Sequence, residues 1–257
     1  MIAASELVFS DAELTLLARM LDEEYFPATL PPELDDDGWK AVERGLIARG
    51  TVHGRFRRAV ADDVAQVLEV VLRAERSLWS TVSFAPGAGE SRGLILWFRG
   101  DEVVRQAAET DGPQHLVVCD RSAIDDMLDA ALDFPTAAGS QAGPAVTMPI
   151  GDLAEALQLA SRETPAAAAA QFPPAAELLT TLVGARHSVT IESRRRVDDG
   201  GERREMVSLS ESLTHDLWLA YDEPYTDDDL TGVLSHLQRV TIDMAREAAT
   251  TLAMGPG

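Results

Sequence analysis

The chain has 257 residues, of which 46% are hydrophobic and 25% charged. That is enough apolar content for a folded core, in one large domain or two small ones. Its 43 Asp and Glu against 22 Lys and Arg leave a formal net charge of −21. Such a surface repels phosphate backbones and anionic lipid heads, which need clustered cations, so nucleic acid and membrane surfaces are poor partners.

A single cysteine, Cys119, permits no internal disulfide and fits a reducing compartment. The start, Met1 to Glu6, lacks the basic and apolar regions of a signal peptide, and no run of about 18 apolar residues offers a spanning helix. These readings predict a cytoplasmic protein. Arginine supplies nearly all the positive charge, Lys40 being the only lysine, which fits a GC-rich genome.

In chain order, Ser10 and Glu13 form a capping-box pattern before Leu14, Leu17, Ala18 and Leu21 at helical spacing. Pro27, Pro31 and Pro32 end that helix. Asp35-Asp36-Asp37 opens a second, with Trp39, Val42, Leu46 and Ile47 apolar, stopped by Gly50. Val60 to Leu72 predicts a third. Strands are expected over Leu78–Phe84, Gly93–Phe98, Val103–Ala108 and His115–Cys119, with turn chemistry in Ala85 to Ser91. Ser122 caps a helix carrying Ile124, Met127, Leu128 and Leu132.

Residues 134 to 148 have a linker's composition. Helices follow from Asp152 to about Ala160 and from Pro173-Pro174 to Gly184, while the alanine run Ala166 to Ala170 has no evident place. His187–Arg195 and Arg204–Ser210 read as strands joined by the turn at Val197 to Gly201, and Leu217–Tyr221 as another strand. Asp227-Asp228-Asp229 then predicts a long closing helix through Leu230, Leu237, Val240 and Leu252.

The order helix, strand, Gly-rich turn, strand, His-led strand and helix occurs twice, setting His115 to Leu128 beside His215 to Leu230. A true duplication implies one antiparallel sheet with pseudo-two-fold symmetry and helices packed in groups around it; its halves are residues 1–134 and 149–257, with a linker over 135–148, together a single α+β domain.

Standard reaction motifs are missing: the phosphate loop, the nucleophile elbow, H-E-x-x-H and C-x-x-C. Gly87, Gly89 and Gly93 have the wrong spacing for a dinucleotide fingerprint and read as a hairpin tip. His53, His115, His187, His215 and His236 form no helical pair, and the two triple-Asp runs are better explained as helix caps than as metal ligands. No cofactor and no metal are expected.

Arg194, Arg195, Arg196, Arg203 and Arg204 form the one dense basic cluster, either a dock for an acidic partner or a solvated hairpin whose charges blunt edge pairing. Trp97 and Trp218 read as core, while Tyr221 and Tyr225 flank Pro224 and offer interface anchors.

Three functions fit this pattern. One is a protein-binding adaptor and not an enzyme. A second is a winged-helix DNA regulator using Arg55, Arg57 and Arg58, against which the net charge of −21 argues. A third is an enzyme assembled from His115, His215, Asp120 and Asp222.

The layout resembles the EspG family, actinobacterial ESX (type VII) secretion-associated chaperones. The resemblance rests on the Leu14-Thr-Leu-Leu helix, the segment Ala41-Val-Glu-Arg-Gly-Leu-Ile-Ala-Arg-Gly50, the strand Leu78-Trp-Ser-Thr-Val-Ser after a long helix, the duplicated sheet, and the Asp-rich cap before a long closing helix. It implies a central antiparallel sheet with two helical groups. It also implies binding of a helical secretion substrate, typically a PE–PPE pair, through the sheet face, a strand-to-strand loop and the C-terminal helices. The loops here matching in position are Ala85 to Arg92 and Val197 to Arg203. The expected contacts are therefore Ala85, Gly87, Gly89, Glu90 and Arg92 in the first loop, and Arg196, Asp198, Asp199 and Arg203 around the second. Tyr221 and Tyr225 join them.

Overall fold

In the computed structural model the described residues are 6–24, 26–29, 32–54, 59–84, 92–108, 112–134, 142–162, 165–173, 185–197, 201–212, 215–226 and 232–255. Ten strands belong to one large antiparallel sheet carrying helices, an α+β fold. The chain divides into two compact units, Met1–Ser77 with Leu94–Ala123, and Leu78–Gly93 with Ile124–Gly257.

In the first unit, strand β1 (Leu7–Phe9) leads into helix α1 (Asp11–Met20). The capping box forms as the sequence predicts: Ser10 N donates to Glu13 Oε2 at 2.9 Å, and Glu13 N donates to Ser10 Oγ at 3.3 Å. These bonds satisfy helix-end donors that have no partner within the helix. Leu14, Leu17 and Ala18 are then buried one turn apart. Helix α2 (Asp36–Ala48) starts at Asp35, whose carboxylate accepts from Gly38 N at 2.8 Å. The capping reading of the first triple-Asp run is thus realised; the second lies outside the described residues.

A short ribbon of β2 (Val52–His53) and β3 (Ala59–Val60) precedes α3 (Asp62–Leu72), which packs on β6 (Glu102–Ala108). With β5 (Arg92–Arg99) and β7 (Gln114–Cys119), this unit carries the strand order β1-β7-β6-β5.

The second unit carries the order β4-β9-β10-β11-β12-β8. Its strands are β4 (Arg76–Phe84), β8 (Ala145–Pro149), β9 (His187–Arg196), β10 (Glu202–Glu211), β11 (Leu217–Thr226) and β12 (Leu234–Val240). Register sets Val189 opposite Leu209 and Leu209 opposite Leu219. One face therefore collects Val189, Ile191, Val207, Leu209, Leu217 and Leu219, all buried. Helix α7 (Ile242–Met254) covers that face on β9 and β10 through Ala245, Ala249 and Ala253. On the opposite face, α5 (Ile150–Arg162) and α6 (Pro165–Gln171) build a separate core of Leu153, Ala156, Ala160, Ala168, Trp218 and Leu237. The alanine run without an evident place is α6. Helix α4 (Ala123–Ala131) belongs almost wholly to this unit.

The structure corrects the reading of the chain's end. Leu230 to Leu252 is not one helix: β12 occupies Leu234–Val240, and α7 begins only after Thr241, whose Oγ1 accepts from Met244 N at 3.3 Å. Apolar spacing at 233, 237 and 240 mimics a helical face. The pairing of β12 with β11 on one side and β8 on the other decides for strand, because both edges are hydrogen-bonded. Strand β8 likewise occupies Ala145 to Met148 of the stretch read as a linker; residues 135–141 lie outside the described residues, as does the helix expected over 174–184.

One succession of elements occurs twice: an opening strand and helices, then four strands and a closing helix. It runs from β1 through β4–β7 to α4, and again from β8 through β9–β12 to α7. In each, the opening strand pairs with the last of the four, β1 with β7 and β8 with β12. The His115 strand therefore corresponds to β12 and not to the strand after His215. The sequence alignment slipped by one strand because β12 looked helical.

Candidate functional site

Of the expected contact residues, Ala85, Gly87, Gly89, Glu90, Asp198 and Asp199 lie outside the described residues, as do Arg55, Arg57 and Arg58. Arg92 is exposed at the start of β5, and Arg196 is exposed at the end of β9, opposite Glu202. Arg203 and Tyr225 come together in a shallow depression that also includes Glu223, Pro224 and Val233. Tyr221 is 40% exposed and stacks on His236, centroids 4.6 Å apart. His236 Nδ1 also lies 3.0 Å from Thr147 Oγ1.

The arginine cluster is laced with acids. Arg203 faces Arg195, and Arg204 faces Arg194, an arrangement of like charges that is costly in isolation. Glu192 relieves it, accepting from Arg194 Nε at 3.0 Å and Nη2 at 2.9 Å, with Arg204 Nη1 at 3.7 Å. Arg204 also meets Glu202 at 3.6 Å, and Arg203 meets Glu205 at 3.5 Å. The Arg194 guanidinium sits 3.9 Å above the Trp79 ring, a cation–π contact that holds it flat on the sheet.

The residues of the scattered-enzyme reading each have a partner of their own: His115 Nδ1 bonds Glu6 at 2.9 Å, and Asp120 accepts from Ser122 N at 2.8 Å. His215 bonds Glu211 at 2.6 Å, and Asp222 accepts from the Ser235 hydroxyl. The Ser122 hydrogen bonds hold the Asp120 carboxyl below the usual range. Each of the four is committed to a different partner. Among the described residues no cluster of His, Cys, Asp and Glu could hold a metal, and no helix is long and apolar enough to cross a membrane.

Two features escaped sequence reading. The first is a groove of about 330 Å³ between α5 and one sheet face. Its walls are Leu153, Leu157, Trp218, Met206 and Leu237, and its floor is Ser188, Thr190, Ser208 and Ser210. The floor hydroxyls pair across strands, Ser188 with Ser210 at 3.2 Å and Thr190 with Ser208 at 3.3 Å. Asp222 is the one charged residue among the described residues of the lining. The available signal was the strict alternation of Ser and Thr with Val, Ile and Leu along β9 and β10, which marks a polar face (P-H-P-H) without saying what lies over it.

The second is a strand-end cluster. His187, opposite Glu211, stacks on Phe84 at 4.9 Å and meets Phe134 at 4.6 Å. Its Nε2 is buried with no hydrogen-bond partner among the described residues. Burial pushes the His187 pKa down, against the pull of Glu211 and Asp133. The unfolded chain therefore binds the proton more readily, beginning near the ordinary histidine value of about 6.5. Stability is expected to fall as pH drops below that value. His187→Phe keeps a ring between Phe84 and Phe134 but cannot titrate. Urea midpoints measured from pH 7.5 down to 5.5 should fall less steeply in that variant than in the parent; equal slopes would remove His187 from the account.

The repeated strand order, with helices on the sheet and a closing helix after each set of four strands, defines an EspG-like α+β fold. In particular, the chain is similar to the structure of the Mycobacterium tuberculosis type VII secretion system chaperone EspG5, solved in complex with the PE25–PPE41 dimer. The match covers 96% of this chain and 95% of that one, with a TM-score of 0.61 and 15% sequence identity. The likeness is one of fold. No family profile matches the sequence, and no curated protein matches it.

Proposed function

We propose that this protein is a cytoplasmic chaperone or adaptor that binds a helical type VII secretion substrate, a PE–PPE-like pair, and keeps it soluble for export. The observation that carries this reading is the end-to-end likeness to a chaperone solved with a PE–PPE dimer. The exposed hairpin supports it: Arg196, Arg203, Tyr221 and Tyr225 give a mixed aromatic and cationic surface in a chain of net charge −21. Aromatic and arginine anchors are the side chains that most often carry binding energy at protein interfaces. Contacts are assigned to Arg92 with Ala85, Gly87, Gly89 and Glu90 in one loop, and to Arg196, Asp198, Asp199 and Arg203 around the other.

Co-expression with a PE–PPE-like pair tests the proposal. The pair should stay soluble only beside this chain, and light scattering after gel filtration should show one stoichiometric complex. Arg203→Glu combined with Tyr225→Ala should weaken the complex at least tenfold. A pair equally soluble alone and eluting separately would overturn the reading.

A further inference from the structure

The groove under α5 has the composition of a site for one particular side chain. Its walls are apolar, its floor is hydroxylic, and among the described lining residues the single charge is Asp222, 8% exposed at the register position opposite Ser235. Ser235 is fully buried and donates to Asp222 Oδ1. No cation lies among the described lining residues. A carboxylate at that depth has lost much of its water, which costs free energy unless a cation or several donors replace it. Burial accordingly raises the Asp222 pKa, opposed by the Ser235 hydrogen bond and by His236.

At about 330 Å³ the groove falls at the small end of ligand pockets, which run from about 300 to 1,000 Å³. Leu157, 37% exposed on α5, stands in its wall.

We propose that this groove takes a basic side chain, arginine above lysine, presented by the helical partner, with its stem against Trp218 and Leu237 and its head on Asp222. The assignment rests on the chaperone reading for the identity of the partner. Charge complementarity argues for the cation: one buried carboxylate selects a positive head group, and the apolar walls select a long aliphatic stem. The hydroxyl floor selects arginine, whose guanidinium has five N–H donors to place on Ser and Thr oxygens beyond the carboxylate, where lysine has three.

The probe is N-acetyl-arginine methylamide, compared with its neutral isostere N-acetyl-citrulline methylamide. Methyl NMR shifts of Leu153, Leu157, Met206 and Leu237 report occupancy. The arginine probe should give saturable shifts confined to these methyls, and the citrulline probe should bind at least tenfold more weakly. Asp222→Asn keeps the side chain's size and an acceptor for Ser235, and it should abolish the difference. It should also weaken the PE–PPE-like complex at least tenfold. Equal binding of the two probes to the parent protein overturns the proposal without any variant being needed. Unchanged affinity of the pair for Asp222→Asn overturns the anchoring role. Should the pair fail to bind the parent while the arginine probe stays selective, the chaperone reading falls and the cation site stands.

Discussion

Leu209→Ala is expected to destabilise the protein by about 3 kcal/mol, within the range of about 2–5 for leucine truncation in a core. Leu209 is fully buried in the last third of β10, between Val189 on β9 and Leu219 on β11. Helix α7 lies over this face with Ala245, Ala249 and Ala253 inward. Those alanines let the helix axis sit close to the strands, so the leucine fills the space between strand and helix. The ladder on either side of β10 holds its backbone in place, and α7 cannot settle into the void without breaking its fit to β9. The cavity therefore persists, and both the lost transfer energy and the lost contacts count. For a chain of this size the melting temperature should fall by about 6–12 °C. Leu209→Met conserves volume and should cost less than about 1.5 kcal/mol. Chemical denaturation of the two variants decides the matter; equal losses would mean that the strand, and not its packing, sets stability there.

Gln106→Met should cost about as much in the first unit, by a different mechanism. Gln106 is 1% exposed and stands in a chain of side-chain hydrogen bonds. Trp97 Nε1 donates to Gln106 Oε1 at 2.8 Å, Gln106 Nε2 donates to Gln114 Oε1 at 3.0 Å, and Gln114 Nε2 donates to Asp11 Oδ1 at 3.0 Å. Methionine matches the shape but removes both an acceptor and a donor. The Trp97 indole then loses its Gln106 acceptor, and Gln114 its Gln106 donor. Each loss in a buried setting costs about 1–3 kcal/mol. Adding Trp97→Phe should recover part of the loss, since the indole N–H no longer needs a partner. A double-mutant cycle should thus give a coupling of roughly 1 kcal/mol or more, and strict additivity would show that the relay contributes nothing as a unit.

Much of the first unit was legible in the chain. Ser10 and Glu13, Asp35, and the valine-rich α3 signal helices through local chemistry, because caps and apolar periodicity act within a few residues. Strands β4, β5, β6, β7, β9, β10 and β11 were legible for the same reason. The short or edge strands were not. Leu7–Phe9 and Ala145–Pro149 carry too few residues for a period to show, and they exist through partners over 100 and 80 positions away, at His115 and His236. Of the candidate contacts, the hairpin arginines stood out by charge, and three of their ion pairs join residues two apart on one strand, Arg194 with Glu192, Arg203 with Glu205 and Arg204 with Glu202; only the pairing of Arg204 with Glu192 depends on cross-strand register. The Asp222 groove was invisible, since its walls come from α5, β10, β11 and β12, and no local pattern announces their convergence.

By itself, then, the sequence determined the acidity, the helix starts, the alternation of the long strands and the α+β class, all properties that arise among near neighbours. Only the tertiary structure decided that Leu234–Val240 is a strand, that the repeat is matched through β12, and that the Asp222 carboxylate ends up buried in a groove with apolar walls and a hydroxyl floor. Those outcomes depend on hydrogen bonds and burial between distant segments, whose energies are set by which surfaces meet and not by the residues flanking each position.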